Sequence, residues 1–113
     1  MTAITTHVLD TSRGVPAAGV GVALHRAGDS GWRQVGGGTT DADGRVRDLA
    51  GVDGPLGAGR YRLTFDTGAY FEATGRPVFY PEVSVAFTVG DGTGHYHLPL
   101  LLNPFGYSTY RGS

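Results

Sequence analysis

The chain of 113 residues carries a net charge of −1, with nine arginines, no lysine and ten acidic residues spread along it. This length fits one domain over residues 1–113. The charges are spread so evenly that the sequence has no basic stripe of the kind typical of nucleic-acid-binding proteins. Cysteine is absent, which excludes disulfides and thiolate chemistry. No run reaches the ~18 apolar residues of a membrane helix. The 20 glycines favour turns and short strands.

Alternation of apolar and polar residues, the pattern of half-buried strands, runs through most of the chain. In the first such segment Thr5, His7 and Leu9 share one face. Turn signals separate the segments about every eight to twelve residues, among them residues 11–16, 40–44 and 91–92, and residues 50–59 are predicted as a loop. Strands are predicted, in chain order, at residues 3–10, 20–26, 32–35, 45–47, 60–65 and 83–89.

One short helix is predicted within this pattern. Asp66 is a good N-cap, Thr67 to Thr74 would form the helix, and Gly75 would close it. Seven or eight short strands, one short helix and regular turns predict an all-β fold, a two-sheet β-sandwich.

The stretch from His95 to Ser113 is unusually dense in functional groups for a chain end. On a strand, alternate residues share a face, so His95 and His97 would point the same way. Pro99 cannot donate to a ladder, so we expect strand pairing to be broken or bulged there. Two imidazoles on one face, followed by a terminal segment of such specific composition, indicate a site.

The residues alone leave the chemistry of these candidates open. The His95 and His97 pair suits metal binding or proton transfer, and it also suits a solvated sheet face. His7 can be structural or catalytic, and Arg45, which follows a turn, can be a surface residue or a ligand for a polar group. His25 is interpreted as a solvated surface residue. The chain has no G-x-S-x-G elbow and no P-loop.

The segments THVLD, TDADGR, HYHLPLLL and NPFGYSTYRGS together resemble the transthyretin-related 5-hydroxyisourate hydrolases, over essentially the whole chain. The resemblance implies a transthyretin-like sandwich, assembled as a homotetramer that is a dimer of dimers. It implies a cyclic amide hydrolase of urate catabolism that needs no cofactor and no metal. The implied catalytic residues are His7, Arg45 and His97. The implied substrate-binding residues are His7, Arg45, Tyr110, Arg111 and Ser113, and Gly112 completes the terminal signature.

Two alternatives to this metal-free hydrolase remain at this point. In the first, His7, His95 and His97 hold zinc with an open water position, as in three-histidine hydrolases. In the second, the protein is a non-catalytic carrier like transthyretin. Carrier pockets are lined mainly by apolar groups, whereas this site would contain histidines and an arginine. The absence of a signal-peptide pattern and of cysteine leads us to expect a cytoplasmic protein with no membrane or nucleic-acid partner.

Overall fold

The computed structural model describes residues 2–49, 57–90 and 94–112, and there the chain forms two β-sheets and one short helix. The predicted all-β sandwich is confirmed. The described residues contain nine strands, against the seven or eight predicted, and two of the nine have only two residues. The elements are β1 (Thr2–Asp10), β2 (Val15–Pro16), β3 (Gly21–Gly28), β4 (Gly31–Thr39), β5 (Arg45–Val46), β6 (Gly59–Phe65), α1 (Thr67–Ala73), β7 (Val83–Val89), β8 (Gly94–Asn103) and β9 (Gly106–Thr109).

The first sheet joins the beginning of the chain to its end. Its strand order is β2–β1–β8–β9, and β5 pairs with the edge of β1 that also holds β2. Strands β1 and β8 run parallel, with Thr5 opposite His97 and His7 opposite Pro99. Because side chains alternate between faces, this register brings the polar residues of both strands to one face of the sheet.

The second sheet, in the order β4–β3–β6–β7, is antiparallel throughout. Strand β4 continues through Gly36, Gly37 and Gly38, whereas the sequence predicted its end at Val35. A Cβ at Gly37 would lie 2.7 Å from the Val22 carbonyl oxygen, and one at Gly38 would lie 2.9 Å from Val46. Glycine is depleted in strands in general, but here it permits a close approach of neighbouring backbone and side chains.

The core lies between the sheets and is built from alternate residues of the strands. Ile4 and Val8 of β1 and Leu100 of β8 are fully buried, and the large rings of Tyr61 and Phe65 come from β6. Thr6 lies among them and satisfies its hydroxyl by donating to the Leu98 carbonyl at 2.6 Å. The residues of β1 on the opposite side, including Thr5 and His7, are therefore on the outer face of the first sheet.

Helix α1 has the predicted N-cap, since the Asp66 side chain accepts from the Ala69 amide. It ends one residue earlier than predicted, because Thr74 is the C-cap and Gly75 follows with a left-handed φ of 70°. A buried ion pair ties this helical region to β1. Arg76, just past the helix, bonds the Asp10 carboxylate, to which the Tyr70 hydroxyl donates at 2.7 Å.

Three predicted turns or loops differ from the structure or lie outside the described residues. Within residues 11–16, Val15 and Pro16 pair with β1, so the turn itself is shorter than predicted. Most of the loop predicted over residues 50–59, and the turn predicted at residues 91–92, lie outside the described residues. No helix in the described ranges is long and apolar enough to cross a membrane.

Candidate functional site

A cavity of about 560 Å³ opens on the outer face of the first sheet, where β1, β5 and β8 meet. Its polar lining brings together two of the three predicted catalytic residues, Arg45 and His97, with His95 beside them. The full lining consists of Ala3, Thr5, Thr6, Arg45, Val46, Arg47, His95 and His97.

The turn before β5 places Arg45 at this cavity. The Asp41 carboxylate accepts from the amides of Asp43 and Arg45, at 2.9 and 3.0 Å, and these bonds hold the pKa of Asp41 below its usual value. Gly44 has a left-handed φ of 77°, and its carbonyl accepts from the Val8 amide. Arg45 therefore begins a two-residue strand opposite His7. The TDADGR segment thus fixes the backbone of Arg45 beside the cavity.

Thr5 is a member of the site that the sequence analysis did not identify. Its hydroxyl lies 2.7 Å from Nδ1 of His97 and 2.9 Å from Nε2 of His95. The signal was present in the strand periodicity, which already placed Thr5 on the face of His7. What the sequence did not supply is the parallel register of β1 and β8, which sets this hydroxyl between the two rings.

His97 is the best-positioned base of the cluster. Its ring is half-buried; burial, and then the charges of Arg45, His95 and His7, hold its pKa below the ordinary value of 6.5. The ring is therefore neutral at pH 7. Since Nδ1 bonds Thr5, Nε2 is the nitrogen left for water or substrate.

The end of the chain also supports His97. The β8–β9 ladder runs as far as Leu100 and Thr109, stops at Pro99, and resumes in the same register as a single bridge between His97 and Gly112. The Gly112 amide donates to the His97 carbonyl at 2.8 Å, and a Cβ on Gly112 would lie only 2.7 Å from Cδ2 of the ring. Strand pairing is interrupted at Pro99 as expected, but only the pairing of β8 with β9. Pairing with β1 continues through Pro99.

His7 lies on the same face but outside the lining of the cavity. It is opposite Arg45 on one side and Pro99 on the other, and it contributes to the lowered pKa of His97. His25, interpreted as a solvated surface residue, is instead half-buried in the second sheet, and its Nδ1 is buried without a hydrogen-bond partner among the described residues. It takes no part in the cluster.

The terminal residues predicted to bind substrate are placed differently from the histidines. Tyr110 and Arg111 border a second cavity of about 210 Å³ and do not line the first. The Arg111 guanidinium lies 4.5 Å from the centre of the Tyr96 ring, a cation–π contact on the core-facing side of β8. Tyr110 is 58% exposed. Ser113 lies outside the described residues.

The arrangement of the histidines differs from the three-histidine zinc site considered above. Within residues 2–49, 57–90 and 94–112, no three histidine or acidic side chains are close enough together to hold a metal ion. One ring nitrogen of His95 and one of His97 are within hydrogen-bond distance of the Thr5 hydroxyl. The donor set of this cluster suits proton transfer and hydrogen bonding better than metal coordination.

Comparison with known proteins identifies the family. Residues 4–112 match the model of the HIUase/Transthyretin family. The 5-hydroxyisourate hydrolase of Caulobacter vibrioides is 47% identical over an alignment of 117 positions that covers all of both chains. The solved 5-hydroxyisourate hydrolase of Klebsiella pneumoniae is 42% identical and superposes with a TM-score of 0.86, again over all of both chains. Sea bream transthyretin, solved with thyroxine, is 34% identical with a TM-score of 0.89, over 97% of this chain and 94% of that one. The backbone is thus shared by hydrolases and by transthyretin, and the chain belongs to the HIUase/Transthyretin family.

Proposed function

We propose that this protein hydrolyses 5-hydroxyisourate to 2-oxo-4-hydroxy-4-carboxy-5-ureidoimidazoline, a step of urate breakdown. The observation that carries the proposal is the placement of Arg45 and the neutral, half-buried His97 in the lining of one cavity. The relatives named 5-hydroxyisourate hydrolase are also the more similar in sequence, at 47% and 42% identity against 34% for sea bream transthyretin.

The reaction adds water to a ring carbonyl and breaks the adjacent C–N bond. Nε2 of His97 would accept a proton from the attacking water, because this nitrogen is not engaged by Thr5 and the ring is neutral at pH 7. The same ring would return the proton to the leaving nitrogen. Positioned acid–base groups of this kind contribute about 10²–10⁴-fold to the rate.

Arg45 would bind the polar edge of the substrate and stabilise the oxyanion that forms on the carbonyl. A guanidinium presents planar, paired N–H donors that match neighbouring ring oxygens and nitrogens, and lysine cannot reproduce that geometry. The Asp41 turn fixes the backbone of Arg45 before substrate arrives. The Arg45 backbone therefore loses little conformational entropy when substrate binds.

His7 and the chain end complete the proposed site. His7, on the same face as the cavity and opposite Arg45, would orient the water or share the proton transfer. Tyr110 and Ser113 would contact the substrate from the terminal segment. For Arg111 the contact with substrate remains a prediction that the observed stacking on Tyr96 does not support within one subunit.

We further propose that the protein is a cytoplasmic homotetramer, a dimer of dimers. Large exposed aromatic side chains near the edge of the first sheet support the association, namely Phe79, Phe105 and Tyr107. Such groups are enriched in interfaces. The cytoplasmic location is consistent with a chain that has no cysteine and thus no disulfide to maintain. Native mass spectrometry would measure the subunit number.

The test generates 5-hydroxyisourate in situ with urate oxidase and follows its ultraviolet absorbance with and without the protein, with chelator present throughout. We expect accelerated decay that survives chelation. His97→Ala should reduce turnover by about 10²–10⁴-fold, and Arg45→Lys should also impair it although the charge is kept. His25→Ala, a histidine of the other sheet, is the matched control and should retain turnover.

The alternatives make different predictions in the same assay. Decay that requires added metal would favour the zinc hydrolase. No acceleration by the wild-type protein would refute the proposal and favour a carrier. Normal turnover of His97→Ala would leave the activity standing and refute the role given to His97.

A further inference from the structure

We infer that the Thr5 hydroxyl, held by His95, fixes His97 in the tautomer that leaves Nε2 unprotonated. Thr5 is thus a positioning residue that acts through His97. The consequence for catalysis rests on the hydrolase function proposed above, but the tautomer itself can be measured without any substrate.

The inference begins with the hydrogen-bonding capacity of one hydroxyl group. Thr5 Oγ1 is within hydrogen-bond distance of Nδ1 of His97, at 2.7 Å, and of Nε2 of His95, at 2.9 Å. A hydroxyl has one proton to donate and lone pairs to accept with, and a neutral imidazole has one N–H and one bare nitrogen. The two hydrogen bonds that link the three groups must therefore run in a consistent donor-to-acceptor direction.

Two directions use the hydroxyl proton within the cluster. In the first, Nδ1–H of His97 donates to Thr5 and Thr5 donates to Nε2 of His95, so Nε2 of His97 is bare. In the second, His95 donates to Thr5 and Thr5 donates to Nδ1 of His97, so the proton of His97 resides on Nε2. If both rings donated, the hydroxyl proton would have no acceptor among the described residues.

The surroundings favour the first direction. Arg45 lines the same cavity as His97, and its positive charge favours a bare nitrogen over an N–H there. His95 is exposed, so water can accept the proton that this direction places on its Nδ1. His97 is half-buried, so an N–H on its Nε2 would be less well hydrated than one on the exposed His95.

The geometry that allows this arrangement comes from the strand pairing. Thr5 is opposite His97 and Ala3 is opposite His95 in the parallel β1–β8 register. His95 lies two residues before His97 on the same face of β8, which places it diagonal to Thr5. His95, which is not among the catalytic residues implied by the family resemblance, is therefore the acceptor that orients the Thr5 hydroxyl.

The first experiment measures the tautomer by ¹⁵N NMR of the full-length protein without substrate, at a pH where histidine is neutral. In the wild type we expect the proton of His97 on Nδ1. Thr5→Val keeps the shape of the side chain and removes the hydroxyl, so it should lose this preference. Thr5→Ser should restore it. Thr64→Val, which removes a strand hydroxyl of the second sheet bonded to Ser84, is the matched control and should leave His97 unchanged.

The second experiment measures turnover of the same variants on 5-hydroxyisourate. Removing the hydrogen-bond partner that orients a metal-bound histidine typically costs about 10–100-fold. By analogy we expect a loss of that size in kcat for Thr5→Val, with recovery in Thr5→Ser. If Thr5 acts together with His95, the losses in Thr5→Val and His95→Ala should be less than additive in the double variant.

Particular outcomes would overturn the inference. One is a wild-type His97 with its proton on Nε2, and another is a Thr5→Val protein whose His97 tautomer matches that of Thr64→Val. If the wild-type tautomer is as expected but the protein does not hydrolyse 5-hydroxyisourate, the proposed function fails and the role of Thr5 in setting the tautomer stands.

Discussion

Replacing Gly112 with alanine is expected to slow turnover about 100-fold while the fold persists. Gly112 contacts His97 in two ways, through its amide, which donates to the His97 carbonyl at 2.8 Å, and through its Cα, which lies beside the ring. An alanine Cβ would come within 2.7 Å of Cδ2 of His97, whereas ordinary van der Waals contact begins at 3.4 Å. The alanine Cβ and the His97 ring therefore cannot both occupy these positions, and one of them must move.

The size of the effect follows from what has to move. If the His97 ring gives way, it leaves the Thr5 hydroxyl, which is 2.7 Å from Nδ1. If the chain end gives way, the bridge between His97 and Gly112 is lost. A displacement of about 1 Å at a reacting group can cost on the order of 10²-fold in rate. The free energy of unfolding should fall by no more than the roughly 1–3 kcal/mol typical of an overpacked core, because the neighbouring terminal residues are exposed.

The assay compares Gly112→Ala with Gly106→Ala. An added Cβ at Gly106 meets only Asn103 atoms at 3.7 Å and needs no left-handed φ, so this control in β9 should be neutral. Turnover of 5-hydroxyisourate and the thermal midpoint are measured for both. Equal turnover in the two variants would show that the terminal glycine does not support His97.

Three further changes test other parts of the structure. Arg45→Gln removes a charge that lowers the pKa of His97, so NMR titration should show this pKa rising toward 6.5. The acid limb of the pH–rate profile of the remaining activity should move to higher pH for the same reason. An unchanged His97 titration would contradict the electrostatic coupling. Arg76→Met leaves the buried Asp10 carboxylate without its cation, and denaturant unfolding should show a loss of about 3–5 kcal/mol; a loss below 1 kcal/mol would contradict it. Asp41→Ala removes the acceptor of two turn amides, and KM should rise while the thermal midpoint changes little, because the turn is exposed; an unchanged KM would argue against this turn as the support of Arg45.

The Arg76 variant also has a defined pH dependence. In the wild type, burial raises the pKa of Asp10, but the bonds from Arg76, Tyr70 and Ser12 outweigh burial and hold it well below the ordinary 3.8. A depressed native pKa stabilises the fold above the unfolded value, and the stabilisation is lost as pH falls through 3.8 and below. Without Arg76 the Asp10 pKa rises, so the acid-unfolding midpoint should move to higher pH. An unchanged midpoint would contradict this account.

The sequence predicted the face assignments well because they depend on local periodicity. Ile4, Thr6 and Val8 are buried and Thr5 and His7 lie outside, in the alternation that a strand imposes. The Asp66 cap was also predictable, since a capping aspartate acts on the residues that follow it directly. These interactions involve neighbours in the chain.

The features that the sequence analysis missed depend on the pairing of distant segments. Thr5 and His97 are 92 positions apart, and only the parallel register brings them together. The extension of β4 through glycines depends on the proximity of Val22 and Val46, which no local pattern records. The position of Arg111 over Tyr96 likewise depends on how the chain end returns along β8 after Pro99.

The parallel pairing of β1 with β8 has a consequence for how activity arises during folding. His7 and Thr5 enter the chain among its first residues, and His95 and His97 come about 90 positions later. Closing so long a loop is entropically costly and slow relative to hairpin formation. The antiparallel second sheet, made of strands closer together in sequence, can form earlier. During refolding, turnover should therefore appear with the slowest phase, after most of the strand signal has been recovered, so that enzymatic activity reports the docking of β8 beside β1.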